Sequence, residues 1–243
     1  MVLKYKTCAI IPARSGSKVI KDKNILKFNG HPSIAYSIVA SLKSKFVDKV
    51  VFSSDSNKYL KIAKKYNPNI LHKRSKKNSS GNASDLDFMI EIKNFLQEEY
   101  NYYPDFFAII RGNCPTRNVQ DIDNAIKIFS KKHKNFTALR SVSKMSETSY
   151  KTFYIKNKKL CGVLNNKFLL DSLNLPKEKF KETFSGNGCI DIIKSKNLKK
   201  GIIHGSKVYP YITKNVYVDI DYNNDIKYAK FILNNFKYLK INK

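Results

Sequence analysis

Arginine is scarce in this chain. Of the 46 basic residues only Arg14, Arg74, Arg111, Arg117 and Arg140 are arginines; the others are lysines, accompanied by much asparagine, isoleucine and tyrosine. Acidic residues are scarce too, 19 against those 46, which leaves a formal charge of +27. A guanidinium's planar fork grips phosphate or carboxylate through two hydrogen bonds, which an ammonium does not. In a composition that has drifted toward AT-rich codons and traded arginine for lysine, the five survivors mark places that need the fork. The other reading is that they are leftovers. The charge by itself would suggest nucleic acid. The bases are spread along the whole chain, however, and do not interleave with aromatics into a stacking platform, so no nucleic-acid partner is expected.

Other absences narrow the class. No apolar run approaches the roughly 20 residues of a membrane span, so no membrane partner is expected. The opening MVLKYKT leads straight into a strand-like run, without the apolar segment and cleavage site of a leader. Cys8, Cys114, Cys161 and Cys189 form no CxxC pair and read as reduced thiols of a cytoplasmic protein. There is neither a Walker GxxxxGK[ST] loop nor a GxGxxG fingerprint. His31, His72, His133 and His204 fall in no constellation that would make one of them a general base.

The 243 residues suit one large α/β domain with a real core, because strand and helix signals alternate. Strands are expected at Thr7–Ile11, Lys49–Ser53, Asn69–Leu71, Phe106–Ile110 and Thr137–Val142. Helices are expected at Pro32–Leu42, Asn57–Tyr66, Ser84 to Tyr100 and Val119–Lys131. Ser54-Asp55-Ser56 can cap the second of these helices. Residues 145–185 break the rhythm with short aromatic-rich strands, Thr152–Ile155 and Lys159–Cys161. They read either as a hairpin or arm packing on a partner subunit or as a long, partly ordered loop. Strands then resume at Cys189–Ile193, Ile202–His204 and Val216–Ile220, and a helix from Asn223 to about Leu239 closes the chain.

Two stretches carry chemistry. Ala9-Ile10-Ile11-Pro12 ends in Ala13-Arg14-Ser15-Gly16-Ser17-Lys18, followed by Lys23-Asn24. Cations, hydroxyls and exposed N–H groups thus gather at a strand's carboxyl end, where open α/β sheets bind ligands. Gly16 lets the backbone approach closely, and successive N–H groups can form an anion nest for a polyphosphate. The alternative is a basic surface turn. Near the other end, Asp219-Ile220-Asp221 puts two carboxylates on one face of an extended segment. Such a pair is unfavourable unless a cation lies between them, and hard oxygen ligands favour Mg²⁺ or Mn²⁺. The alternative is a strand end capping the last helix. Asp225 is expected to stabilise that helix's N-terminus instead.

Ile10 to Lys18 with Lys23-Asn24, then Ser53-Ser54-Asp55-Ser56, then Val218-Asp219-Ile220-Asp221 resemble the acylneuraminate cytidylyltransferases, in the family order and over nearly the whole chain. The resemblance implies a Rossmann-like open, mixed but mostly parallel sheet flanked by helices, of nucleotide-diphospho-sugar transferase type. It implies a single cytidylyltransferase domain over 1–243, with 145–185 as a dimerisation or sugar-site arm of a cytoplasmic homodimer. The implied reaction activates a nonulosonic (sialic-type) acid, a nine-carbon α-keto acid sugar, with CTP; a CMP-Kdo-type or other sugar cytidylyltransferase is the alternative. By the same resemblance Arg14 and Lys23 hold the CTP phosphates, with Ser15, Gly16, Ser17 and Lys18 around them, and Asn24 contacts the nucleotide. Arg74, Asn82 and Ser84 line the cytosine and ribose, Asp219 and Asp221 hold the catalytic metal, and Asn187-Gly188 belong to the sugar site. Arg111 stands where the family commonly has a glutamine that touches the sugar. A lone arginine there is expected to set sugar specificity by facing a carboxylate or acyl oxygen, or else to bridge Asp121 or Asp123.

Overall fold

The protein was analysed as a computed structural model, in which residues 4–17, 19–80, 83–164 and 169–241 are described. A short apolar run flanked by lysines and closed by proline makes β1 (Thr7–Pro12). Cys8 and Ile10 pack on one side of it, Ala9 and Ile11 on the other, as in a parallel strand covered on both faces. A tight ladder follows, β2 (Lys27–Phe28) with β3 (His31–Pro32), turned by Asn29 and Gly30 at positive φ. Next come α1 (Ser33–Lys43), β4 (Lys49–Ser54), α2 (Asn57–Lys64) and β5 (Ile70–Lys73), then α3 (Asp85–Tyr100), β6 (Phe106–Ile109), α4 (Val119–Lys132) and β7 (Ala138–Lys144). After the hairpin β8 (Phe153–Lys156) and β9 (Lys159–Gly162) the chain forms β10 (Phe184–Lys194), α5 (Ser195–Lys199), β11 (Val208–Ile212) and α6 (Asn223–Asn235).

Seven strands form one sheet in the order β11-β7-β10-β6-β1-β4-β5, parallel throughout except for β10, which runs antiparallel between β6 and β7. The expected mixed, mostly parallel sheet is therefore found. On one face α1, α2 and α4 bury Ile34, Ile38, Tyr59, Ile122, Ile126 and Phe129. On the other, α3 and α5 bury Phe88, Met89, Ile92, Leu96 and Leu198. The chain builds outward from β1 to β4 and β5 and then crosses back to β6. That change of direction opens a crevice at the carboxyl edge between β1 and β6.

Several elements differ from expectation. No strand covers 202–204. Gly201, at φ +69°, ends α5, the Ile202 N–H returns to the Asn197 carbonyl, and the Asn197 amide holds the Ile203 carbonyl. That backbone is spent on a helix C-cap. β11, on the sheet edge, and the two-residue strands β2 and β3 were not expected. Residues 216–220 are extended but belong to no ladder: the Val218 N–H donates to Thr116 Oγ1 and the Ile220 N–H to the Asn113 carbonyl. β10 begins at Phe184, earlier than Cys189, because its first residues pair across a bulge with β7. The last helix stops at Asn235, beyond which the Leu239 N–H reaches the Arg117 carbonyl. Within 145–185 the β8–β9 hairpin does form, turned by Asn157 and Lys158 at positive φ.

Candidate active site

The crevice widens into a cleft of about 800 Å³. Arg14, Arg74, Arg111 and Arg140, four of the five arginines, line it together with Lys23 and both Asp219 and Asp221. Residues that lie far apart in the sequence converge there from the carboxyl ends of β1, β5 and β6, from Arg140 within β7 and from the amino half of the antiparallel β10.

The loop after β1 is held from below. Ser15 donates its N–H and its hydroxyl to the Asp55 carboxylate at 2.8 and 2.7 Å. Burial opposes ionisation of Asp55, but these two hydrogen bonds keep its carboxyl below the ordinary range. The Ser17 N–H turns back to the Ser15 carbonyl, and the buried Asn24 amide donates to the Arg14 carbonyl at 2.9 Å. The expected nest of successive N–H groups is thus corrected: that of Ser15 goes to Asp55 and that of Ser17 back to the loop's own Ser15 carbonyl. Ser15 does not line the cleft, whereas Gly16, Ser17, Lys23 and Asn24 do. A Cβ on Gly16 would meet nothing within 4 Å, so the space beside it is open. Arg14 donates to the Ser80 carbonyl at 2.8 Å, which ties this loop to the one after β5. Lys18 and Asn82 lie outside the described residues.

The second wall is carried by α3. Ser84 caps that helix by accepting the Asp87 N–H, as its sequence predicts, and also lines the cleft. Arg74 is 9% exposed and lies over the Phe88 ring at 3.8 Å. Its Nε and Nη2 are buried without a hydrogen-bond partner. Unpaired buried donors of this kind are costly, so Arg74 is a standing demand for an acceptor in the cleft.

Asp219 and Asp221 project from the pinned segment 216–220 and its next residue. The alternation read from the sequence survives without a strand: Val218 and Ile220 are buried behind, Asp219 and Asp221 face the cleft. Asp221 is paired with Lys23 at 2.6 Å in an exposed ion pair. Asp219 Oδ1 is buried with no partner. Burial raises the Asp219 carboxyl above its usual range, while the Arg117 and Arg111 guanidiniums pull it back. Asp225 accepts the N–H groups of Asp221 and Tyr222, the helix-stabilising role expected of it.

Gly188 sits on the bulge of β10 at φ +63°, and a Cβ there would lie 2.3 Å from both Asp219 carboxylate oxygens. Only glycine admits the Asp219 carboxylate. Asn187 does not line the cleft: its amide donates to Ser143 Oγ and Thr213 Oγ1, and its oxygen accepts the Cys189 N–H. Arg111 lines the cleft and bridges neither Asp121 nor Asp123. Asp121 is filled by the hydroxyls of Tyr211 and Tyr217 and the Asn215 amide, Asp123 by Ser44 and the Lys45 N–H.

The sequence reading missed two arginines. Arg117 is fully buried and donates to Ser37 Oγ and to the carbonyls of Gly188, Cys189 and Arg111. It fixes two loops of the cleft at once. Arg140 lines the cleft beside Gly186, whose missing side chain gives the guanidinium room: a Cβ would come 3.1 Å from it. The scarcity of arginine was the signal for both.

The profile of the family described as Cytidylyltransferase matches residues 8–215. The N-acylneuraminate cytidylyltransferase of Escherichia coli O18:K1:H7 is 33% identical over 147 residues, 60% of this chain and 33% of that protein. The pseudaminic acid cytidylyltransferase of Campylobacter jejuni serotype O:23/36 is 28% identical over 232 residues, 93% of this chain and 96% of that one. The chain spans about a third of the length of the first two curated relatives it matches, 33% and 29%. Among solved structures, a CMP:2-keto-3-deoxy-manno-octonic acid synthetase complexed with CTP superposes with a TM-score of 0.67 at 11% identity, over 94% of this chain and 98% of that one.

Proposed function

The chain belongs to the cytidylyltransferase family, and from that premise we propose that it transfers the cytidylyl group of CTP to a nonulosonic, sialic-type acid. The sugar's C2 hydroxyl oxygen bonds to the α-phosphorus, the bond to the β-phosphate oxygen breaks, and CMP-sugar and pyrophosphate result. The observation that carries this reading is the convergence of Arg14, Arg74, Arg111, Arg140, Lys23 and the Asp219/Asp221 pair on one cleft.

Catalysis of this kind rests on positioning and on neutralising charge. Arg14, fixed to the Ser80 carbonyl, grips a phosphate and offsets charge on the leaving pyrophosphate. Arg74, with two free donors over an apolar ring, faces the nucleotide's polar groups. Asp219 and Asp221 fit a divalent cation, since one carboxylate oxygen is buried without a partner and Gly188 keeps space for it. Mg²⁺ or Mn²⁺ bound there would neutralise phosphate oxygens and acidify the attacking hydroxyl. Lys23 then exchanges Asp221 for a phosphate oxygen. An exposed ion pair is worth about 0–1 kcal/mol, so the exchange costs little. Arg111 and Arg140 form the acid-sugar end.

The chain works as one catalytic domain, and the 145–185 arm packs on a second copy, for Ile155, Val163 and Leu164 are 77%, 54% and 57% exposed. No helix among the described residues is long and apolar enough to cross a membrane, and the use of CTP as co-substrate supports a cytoplasmic location for the enzyme. Pyrophosphate release that requires CTP, Mg²⁺ and a nonulosonic acid is the test. Release with Kdo alone would move the assignment to the octulosonic class, and release with no acid sugar would refute it.

A further inference from the structure

At the opposite edge of the sheet from the cleft, where β6 begins and β10 ends, lies a groove of about 370 Å³ that shares no lining residue with the cleft. Four lysines reach it from three elements: Lys93 on α3, Lys194 at the end of β10, and Lys196 and Lys199 on α5. Its floor is aromatic, for Tyr5, Phe106 and His133 pack ring on ring with centroids 4.6–5.6 Å apart. Among the described residues, none of the four ammonium groups makes a hydrogen bond or an ion pair. The lining holds one carboxylate, Asp105, which accepts the Lys6 N–H at 2.9 Å.

In a chain with 46 basic residues against 19 acidic ones, exposed lysines need no explanation, and Lys196 and Lys199 alone would carry no site. Lys194 is different. It is 8% exposed, where a lysine is rarely found unless it is paired. Burial, and after it the Lys196 charge, hold its ammonium below the ordinary lysine range. A cation kept out of water beside a like charge is unfavourable until an anion joins it. Four ammonium groups around one small volume, against a single carboxylate, ask for more negative charge than one carboxyl group brings. An oligophosphate carries several charges on a compact body, and lysine binds phosphate as a point charge. We propose that this groove is a second anion site, separate from the cleft, for inorganic pyrophosphate or the phosphate tail of a nucleotide. The proposal does not depend on the reaction assigned to the cleft.

The test is calorimetric titration of the whole chain with pyrophosphate in the absence of divalent metal. The wild type should bind one pyrophosphate more than Lys194→Met, which keeps an unbranched apolar stem and removes the charge. The thermal midpoint of that variant without ligand should stand at or above that of wild type, because an unpaired buried charge has gone. Lys196→Gln with Lys199→Gln, both exposed, should weaken the same site by about tenfold or more, and this double variant carries the test if Lys194→Met does not fold. Lys61→Gln with Lys64→Gln, exposed lysines of α2, is the control and should change nothing. Repeating the titrations with CMP and CTP separates the two sources. A difference between wild type and Lys194→Met with pyrophosphate alone assigns the inorganic ion, and one with CTP but not CMP assigns the nucleotide tail; both uphold the site. Equal stoichiometry and affinity in wild type and the groove variants, or an equal loss in the α2 control, would mean adventitious binding to a basic surface only and overturns it.

Discussion

Gly188→Ala tests whether the carboxylate pair does the work assigned to it. The new Cβ would sit 2.3 Å from both oxygens of Asp219, where ordinary contact begins at 3.4 Å. The carboxylate must retreat by about 1 Å, and a displacement of that size at a reacting centre costs about 100-fold. The backbone adds its own penalty, for alanine at φ +63° costs roughly 1–2 kcal/mol, or about 2–8 °C in Tm for a domain of this size. Gly201→Ala is the control. Gly201 has φ +69° and nothing within 4 Å of a Cβ, so it carries the backbone penalty without the clash. Pyrophosphate release and thermal unfolding should be measured on both variants. Gly188→Ala should lose at least the few degrees that Gly201→Ala loses, and only Gly188→Ala should lose activity by two orders of magnitude. Activity of Gly188→Ala within threefold of Gly201→Ala would refute the claim that Asp219 must stand where it does.

Asp221→Asn should reduce turnover more than tenfold at saturating Mg²⁺ with little change in Tm, because its pair with Lys23 is exposed; unaltered pyrophosphate release would remove it from the metal site. Arg14→Lys keeps the charge but loses the fork, a loss of roughly 1.5–3 kcal/mol or about 10- to 100-fold in kcat/KM, and an unimpaired enzyme would return the loop to a basic surface turn. Arg111→Gln should change kcat/KM unequally across a panel of nonulosonic acids without moving the KM for CTP; equal losses for every sugar would refute a specificity role. Burial holds the His72 imidazole down to about 4 from an ordinary 6.5, against the pull of Glu91 and with the push of Arg74. The unfolded chain then binds a proton that the folded chain refuses, so stability falls as pH drops from about 6.5 to 4, by roughly 3 kcal/mol at most. Denaturant midpoints against pH should be flatter in that window for His72→Asn, and parallel curves would show that His72 is not the group responsible.

The parts of the fold legible in the sequence are those in which local pattern and burial agree. β1 is apolar on both faces and lies mid-sheet; Ser56 and Ser84 stand where their side chains cap helices. The errors fall where backbone hydrogen bonds go to something other than a ladder. Residues 202–204 carry an apolar pair fit for a strand, yet the Asn197 side chain and the Gly201 turn claim their backbone. The 216–220 segment alternates as a strand does, but its partners are the Thr116 hydroxyl and the Asn113 carbonyl, contacts between residues more than a hundred positions apart that no local window contains.

The cleft divides along the same line. Its chemistry was visible as residue types, because a chain that keeps only five arginines and places four on one cavity is economical with its forks. What each fork does depends on the partners the fold supplies. Arg117 and Arg111 lie six residues apart after the same strand, yet one is enclosed by carbonyls and the other opens on the cleft. Asn187 and Gly188 are adjacent, and the first is spent on Ser143 and Thr213 while the second makes way for Asp219. The bulge in β10 is responsible: between the pairs Gly186–Val142 and Asp191–Arg140 four residues of that strand stand opposite one of β7, which turns consecutive side chains to different tasks. A bulge has no signature in single-residue propensities, so the end of the cleft at Arg140, Gly186 and Gly188, which hangs on it, was the least legible part of the site.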